Sequence, residues 1–168
     1  MKRLILAAVA MLIAAPVLAS AIGTEHDGGP EKPGWVSLGG GLLEEPIWYH
    51  RFTKNLDAYM SRRADVPILV WVDWKLPPYL NSKYARFQVT DELIIPSVQK
   101  DYDVVFDCKP PQTNVSIRVF AVVRIVNNNK KWWRGSDIGQ AWKIDLHDGK
   151  TSPLPVNGIA CLNQGWGV

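Results

Sequence analysis

The stretch VSIRVFAVVRIV, residues 115–126, decides the fold class of this chain. Every second residue in it is apolar, and the positions between them include Ser116, Arg118 and Arg124. Because successive side chains of a β-strand point to opposite faces, this pattern predicts a long strand with one packed face and one partly solvated face. Strands of this kind are typical of antiparallel sheets. The apolar face comprises Val115, Ile117, Val119, Ala121, Val123 and Ile125.

Other runs predict further strands around this one. Residues 68–72 are apolar on both faces, which predicts a central strand. Residues 102–108 alternate, and the Asp-Gly pair at 148–149 is typical of a tight hairpin. Residues 159–162 predict a last short strand beside the one that ends at position 108. Together these runs predict an antiparallel sheet.

A different periodicity precedes the strands, in residues 46–63. Apolar and aromatic residues recur there at spacings of three or four, which predicts an amphipathic helix. We therefore expect an α+β fold, in which one N-terminal helix packs on a curved antiparallel sheet closed by one disulfide. The stripe comprises Trp48, Phe52, Leu56 and Tyr59.

The first 43 residues predict export. Lys2 and Arg3 precede a short apolar run that ends in an A-x-A site, so residues 1–21 have the layout of a secretory signal peptide. Residues 22–43 are rich in Gly and Pro and predict a flexible lead-in. Residues 44–168 form the expected single globular α+β domain. We expect a periplasmic or secreted protein with no stable membrane insertion after the signal is cleaved.

The charge of the exported chain argues against nucleic acid as a partner. The full sequence has 19 basic and 16 acidic residues, and removing Lys2 and Arg3 leaves 17 against 16, a net charge of +1. Nucleic-acid binding needs a concentrated basic surface. No nucleic-acid partner is expected.

Two cysteines, Cys108 and Cys161, are expected to form a disulfide, since an exported chain matures in an oxidising compartment. The alternative is two free thiols, one of them nucleophilic. The three histidines are scattered along the chain and show no recognisable ligand spacing, so the sequence predicts no metal site and no cofactor.

Tryptophans and their neighbours are the candidate binding residues. Trp132 and Trp133 cannot both enter one core from a strand, so we expect one of them on a binding surface beside Arg134. A second aromatic group follows the predicted central strand, where loops often carry recognition. The alternative in both places is structural packing of the rings. The predicted binding residues are Trp74, Pro77, Tyr79, Trp132, Trp133, Arg134 and Asp137.

These features favour binding over catalysis. No spacing selects a carboxylate pair of the kind that glycoside hydrolysis needs, and no G-x-S-x-G motif occurs. In profile alone, the chain resembles the small exported inhibitors and immunity proteins that bacteria use against cell-wall hydrolases and secreted toxins. The expected partner is such a hydrolase or toxin, contacted by a surface loop and an aromatic patch. The alternatives are a module that binds cell-wall glycan and a small carboxylate-based hydrolase.

Overall fold

The computed structural model of the chain describes residues 20–77, 85–112, 116–125 and 129–165. The fold is mostly antiparallel sheet, with a sheet that curls into a half-barrel, and the described residues include one short α-helix. Within those ranges, no helical segment has the length and apolar character needed to cross a bilayer. The predicted curved antiparallel sheet is therefore present, in a chain that is mostly β rather than α+β.

The first sheet is built from the N-terminal half of the chain. In chain order its strands are β1 (Glu25–His26), β2 (Val36–Glu44), β3 (Ile47–Thr53), β4 (Val66–Leu76) and β5 (Arg86–Val98). In space the order is β1-β5-β4-β3-β2, and all neighbours are antiparallel. The apolar run 68–72 lies in β4, in the middle of this sheet, as predicted.

The second sheet follows from residue 102 onward. Its strands are β6 (Tyr102–Lys109), β7 (Ile117–Arg124), β8 (Trp132–Arg134), β9 (Ile138–Asp145), β10 (Thr151–Pro153) and β11 (Ala160–Leu162). In space the order is β10-β9-β7-β6-β11-β8. Strand β7 is the one predicted from residues 115–126, and positions 115 and 126 themselves lie outside the described residues.

The main core joins residues of both sheets. Val70 and Val72 of β4 pack in one cluster with Phe120 of β7 and with Trp142 and Ile144 of β9. Full burial of side chains of this size stabilises the folded state by about 1.5–3 kcal/mol each. One face of β4 therefore belongs to the main core, and Leu69 and Trp71 on its other face pack in a separate buried cluster.

The predicted helix over residues 46–63 is wrong for most of its length. Residues Ile47–Thr53 form β3, and the helix α1 spans only Leu56–Ser61, capped by the Asn55 side chain, which accepts a hydrogen bond from Ala58 N at 2.9 Å. A spacing of four residues fits one face of a helix and equally one face of a strand, since four is an even number. The aromatic spacing alone thus does not distinguish the two structures.

The segment 22–43, predicted as a flexible lead-in, contains β1 and most of β2. Strand β1 pairs with β5, and β2 pairs with β3 along its length. The glycines that suggest flexibility include Gly40, which lies inside β2 where another strand comes close. Backbone pairing and close approach explain the composition of this part of the segment.

The disulfide between Cys108 and Cys161 is confirmed, with an S–S distance of 2.03 Å. The two residues are direct partners across β6 and β11, and Cys161 is completely buried. The predicted short strand at 159–162 is confirmed as β11. The bridge therefore ties the C-terminal strand into the second sheet.

Candidate metal centre

The residues predicted to bind a partner lie in two groups, one on each sheet. In the first group, Trp74 is half-buried in β4 and packs against the main core, while Pro77 is exposed just beyond that strand. Tyr79 lies outside the described residues. Among the described members of this group, Pro77 alone is exposed.

The second group surrounds β8. Trp133 is only 5% exposed and packs in a second core cluster of the second sheet. Trp132 is half-buried, with the Lys109 ammonium 4.9 Å from its ring centroid, and Arg134 is exposed. The carboxylate of Asp137 accepts hydrogen bonds from Arg134 N and from Lys130 Nζ. Trp132 and Arg134 thus present a surface, whereas Trp133 is part of the interior.

A polar cluster that the sequence did not reveal lies on the other side of the first sheet. In β4, Val70 and Val72 face the main core, so the alternating residue Asp73 points to the opposite side, here called the outer face. His50 of β3 lies on the same side, because Ile47, three residues earlier, faces the main core. The central strands therefore carry a carboxylate and an imidazole side by side.

Asp73 is the centre of the cluster, and its side chain is completely buried. Its Oδ2 lies 2.5 Å from Nδ1 of His50, a hydrogen bond. Its Oδ1 lies 3.4 Å from Nε2 of His26, which β1 contributes. Among the described residues, that Oδ1 and that Nε2 are both buried without a hydrogen-bond partner. The carboxylate is therefore satisfied on one oxygen and open on the other.

The electrostatics keep this carboxylate charged. Burial by itself raises the pKa of Asp73, but the His26 and His50 imidazoles beside it outweigh burial, and the pKa lies below its ordinary value. Asp73 is thus an anion with no exposure to solvent. A buried anion needs a positive partner, since removing an unpaired ion from water costs several kcal/mol.

The segment 20–35 covers the outer face and brings His26 into place. The Glu92 carboxylate of β5 anchors this segment, accepting hydrogen bonds from Ala21 N at 3.1 Å and from Lys32 Nζ at 2.9 Å. The Glu92 carboxylate also accepts a hydrogen bond from Trp71 Nε1 at 3.0 Å. The segment that the composition marks as flexible is thereby part of the site.

Aromatic rings enclose the two imidazoles. Phe87 stacks on His26 with ring centroids 5.4 Å apart and an interplanar angle of 16°. The His26 and His50 rings meet edge to face at 5.5 Å, and Trp71 lies 6.5 Å from His26. This packing restricts rotation of the imidazoles, so the donor atoms around Asp73 are held in position.

Gly40 of β2 lies directly against His50. A Cβ atom at this position would come within 2.7 Å of Cδ2 of His50 and would also collide with the backbone oxygen of Tyr49. Real Cβ contacts are longer than this, so a glycine is required where β2 crosses the imidazole. The glycine-rich stretch of β2 therefore closes one side of the cluster.

Three side chains of this cluster offer a ligand set for a metal ion. One donor atom each from His26, His50 and Asp73 lies within 4.8 Å of the others. In a tetrahedral zinc site, bonds of about 2.0–2.2 Å place donor atoms about 3.3–3.6 Å apart, so the widest of these separations would have to shrink by up to about 1.3 Å. Two imidazoles with one carboxylate are a common set for zinc and for other divalent transition metals.

Nδ1 of His26 accepts a hydrogen bond from Gly28 N at 3.2 Å, and Nε2 of the same ring faces Asp73. Coordination of a metal through Nε2 would place the ring proton on Nδ1 and would break the Gly28 contact. This contact is at the exposed surface, where water would replace it at little cost.

A cavity of about 480 Å³ lies beside His26, between the segment 20–33 and Trp71. Of the three residues in the cluster, His26 alone lines this cavity.

Sequence reasoning missed this cluster because it placed both histidines in the wrong structure. His50 was assigned to a helix and His26 to a flexible segment, and neither assignment brings them to Asp73. The available signal was Asp73 itself, a lone acid that directly follows the apolar run 68–72 of the central strand. A charge in such a strand is expected to be buried and paired.

The chain was compared with protein families, with curated proteins and with solved structures, and none of the three comparisons finds a match.

Proposed function

We propose that this chain is an exported binding protein that holds one divalent transition-metal ion between His26, His50 and Asp73. The observation that carries the proposal is the buried Asp73 anion, whose Oδ1 faces the unpartnered Nε2 of His26 at 3.4 Å. A divalent cation at this point neutralises the carboxylate and gives both atoms a partner.

The donor set selects the class of metal. Imidazole nitrogens suit zinc, copper, nickel and iron, whereas calcium and magnesium prefer sites made of oxygen ligands. Three protein ligands leave one tetrahedral position for water or another small ligand. Zinc is therefore the probe of choice, because it is redox-inert and accepts this geometry.

Metal binding would join the N-terminal segment to the sheet. His26 belongs to β1, a strand of two residues, while His50 and Asp73 belong to two longer paired strands. An ion shared by the three side chains adds its binding free energy to the docking of segment 20–35. The bound form is expected to be the more stable one.

Export supports the proposal from another direction. The signal-peptide layout of residues 1–21 and the Cys108–Cys161 bridge both fit an oxidising compartment, either the periplasm or the medium. In such a compartment the histidine and carboxylate ligands do not compete with a thiol for the metal ion, since the described cysteines are paired in a disulfide. We propose that the protein meets its metal there.

Zinc titration of the purified protein by isothermal calorimetry tests this function. We expect one site per chain and a rise in melting temperature on loading. His26→Ala should weaken binding by more than the tenfold to hundredfold that loss of an outer-shell partner costs. His147→Ala is the matched control, since His147 lies in an exposed turn. Wild-type protein that takes up no zinc, or His26→Ala protein that binds as tightly as wild type, would contradict the proposal.

A second function rests on the surface at β8. The half-buried Trp132 and the exposed Arg134 support contact with a hydrolase, a toxin or a cell-wall glycan, in the manner of an inhibitor, an immunity protein or a glycan-binding module. Glycan fragments and periplasmic proteins can be tested for binding to wild type and to Trp132→Ala. Equal binding by both would remove this surface from consideration.

A further inference from the structure

A second cavity, of about 310 Å³, lies on the other side of β3 from the metal cluster. Arg51 lines it from β3, and because Arg51 and His50 are consecutive in a strand, their side chains point to opposite faces. Its volume is at the lower end of the range for small-molecule sites. The residues that the argument uses are Tyr49, Arg51, Arg62, Asp103, Phe106 and Trp133.

Arg51 has an unused hydrogen-bonding edge. Its Nη1 donates to Val104 O at 3.0 Å and lies 3.7 Å from Asp103 Oδ1. Its Nε is buried and has no partner among the described residues. The Nε and Nη2 groups form the edge of a guanidinium that grips a carboxylate with two parallel hydrogen bonds. Arg51 is thus positioned through Nη1, and its Nε has no partner among the described residues.

Trp133 supplies a second unused donor. Its indole Nε1 is buried and has no partner within the described ranges, although a buried indole N–H is normally hydrogen-bonded. The side chain is 5% exposed and lines the cavity. Two residues that line one cavity therefore each carry an unpartnered buried donor, which favours a ligand that is rich in acceptors.

The net charge at the cavity is positive. Arg51 and Arg62 lie 3.7 and 3.8 Å from the Asp103 carboxylate, so two cations face one anion. Asp103 is already satisfied, because it accepts hydrogen bonds from Tyr59 OH at 2.9 Å and from Val104 N at 2.7 Å. The surplus positive charge favours an anion.

An aromatic wall borders the charged part. The Tyr49 and Phe106 rings are stacked with an interplanar angle of 12°. Phe106 also stacks on Phe120 at 4.9 Å, so the stack offers ring edges to the cavity, against which a planar or apolar group can pack and displace water. The cavity therefore combines a guanidinium edge, an indole N–H and an apolar surface.

We propose that this cavity binds a small carboxylate that has a planar apolar body, with the carboxylate on the free edge of Arg51 and the body against Tyr49 and Phe106. The site is separate from the metal cluster and does not depend on it.

Titration with benzoate, followed by the amide and indole signals of ¹⁵N-labelled protein, tests the proposal. The Trp133 indole signal, assigned with Trp133→Phe, should shift and saturate with benzoate. The uncharged benzamide should leave it in place. Arg51→Lys keeps the positive charge but cannot form the two parallel hydrogen bonds of a guanidinium, so it should weaken benzoate binding about tenfold or more. Arg63→Lys, outside the cavity, should bind as wild type does.

Two results would overturn the proposal: a Trp133 signal that benzoate does not move, or benzoate affinity that Arg51→Lys leaves unchanged. If Arg51→Lys does not fold, the comparison of benzoate with benzamide on the wild-type protein decides. Equal shifts from the two compounds would then mean that the cavity does not recognise a carboxylate.

Discussion

Nε2 of His26 lies 3.4 Å from Oδ1 of Asp73, so a side chain from the first short strand reaches a carboxylate buried in the middle of the first sheet. Strand β5 separates β1 from β4 in that sheet. The His26 side chain therefore passes over β5 to reach Asp73 of β4. Together with the hydrogen bond from His50, this contact makes the N-terminal segment part of the centre.

Gly40→Ala should damage the centre and the fold together. The new Cβ would meet the His50 ring and the Tyr49 backbone, and overpacking of this kind costs about 1–3 kcal/mol of unfolding free energy. Urea unfolding measures the loss. Gly29→Ala is the matched control, since a Cβ there has no atom within 4 Å. If Gly40→Ala is as stable as Gly29→Ala, β2 does not close against His50 as described.

The disulfide should stabilise the second sheet without affecting metal binding. Cys108 and Cys161 close a loop of 53 residues, for which the chain-entropy relation gives about 4 kcal/mol. The double variant Cys108→Ser and Cys161→Ser should lose about this much unfolding free energy. At a temperature where it is still folded, its zinc affinity should equal that of wild type. Lost affinity in the folded variant would mean that the two sheets are coupled.

The protein should lose stability between about pH 10 and pH 12 through Tyr59. Burial, with the Asp103 carboxylate next in importance, raises the pKa of Tyr59 from 10.0 to about 12. A group whose folded pKa is raised contributes its full stabilisation below its unfolded pKa, and that contribution disappears as the pH rises to the folded value. Urea unfolding at pH 8, 10 and 11.5 follows this loss.

Two variants identify the group responsible. Tyr59→Phe should be less stable at pH 8, because the hydrogen bond to Asp103 is gone, and should show a smaller decline toward pH 11.5. Tyr102→Phe keeps the Tyr59–Asp103 pair and should decline as wild type does. Identical declines in all three proteins would assign the alkaline loss to other groups.

We propose that the expected signal peptide is removed after Ala19, so that the mature chain begins at Ser20. The signal layout places cleavage after Ala21, but Ala21 is 7% exposed, packs with Phe52 and Leu69, and donates its N–H to Glu92. Cleavage after Ala19 retains this residue and leaves an alanine directly before the cleavage site. Mass spectrometry of the intact protein from the periplasm or the medium shows which residue the mature chain begins with. A mature chain that begins at Ile22 would show that the Ala21 contacts are dispensable.

The longer strands of the second sheet, β6, β7 and β9, could be predicted from the sequence because each shows a period of two. Strand β7 and the short strand β11 are both predicted correctly, and the pairing of Cys108 with Cys161 followed from the expectation of export and an even cysteine count. These inferences depend on local patterns and on the compartment, which a single sequence displays.

The centre could not be predicted because it depends on contacts between distant segments. His26, His50 and Asp73 come from three strands, and nothing in their spacing shows that β1 and β3 lie on either side of β4 and β5. The wrong prediction of a helix over residues 47–53 had a physical cause, since a spacing of four residues fits one face of a helix and also one face of a strand. In the predicted helix, His50 faces no carboxylate.

The X-ray absorption spectrum of the zinc-loaded wild-type protein tests the central claim most directly. After exhaustive dialysis, we predict one zinc per chain, with scattering from two imidazole rings, one or two light oxygen ligands and no sulfur. Zinc that is lost on dialysis, or a spectrum without two imidazoles, would contradict the assignment of a metal centre to His26, His50 and Asp73.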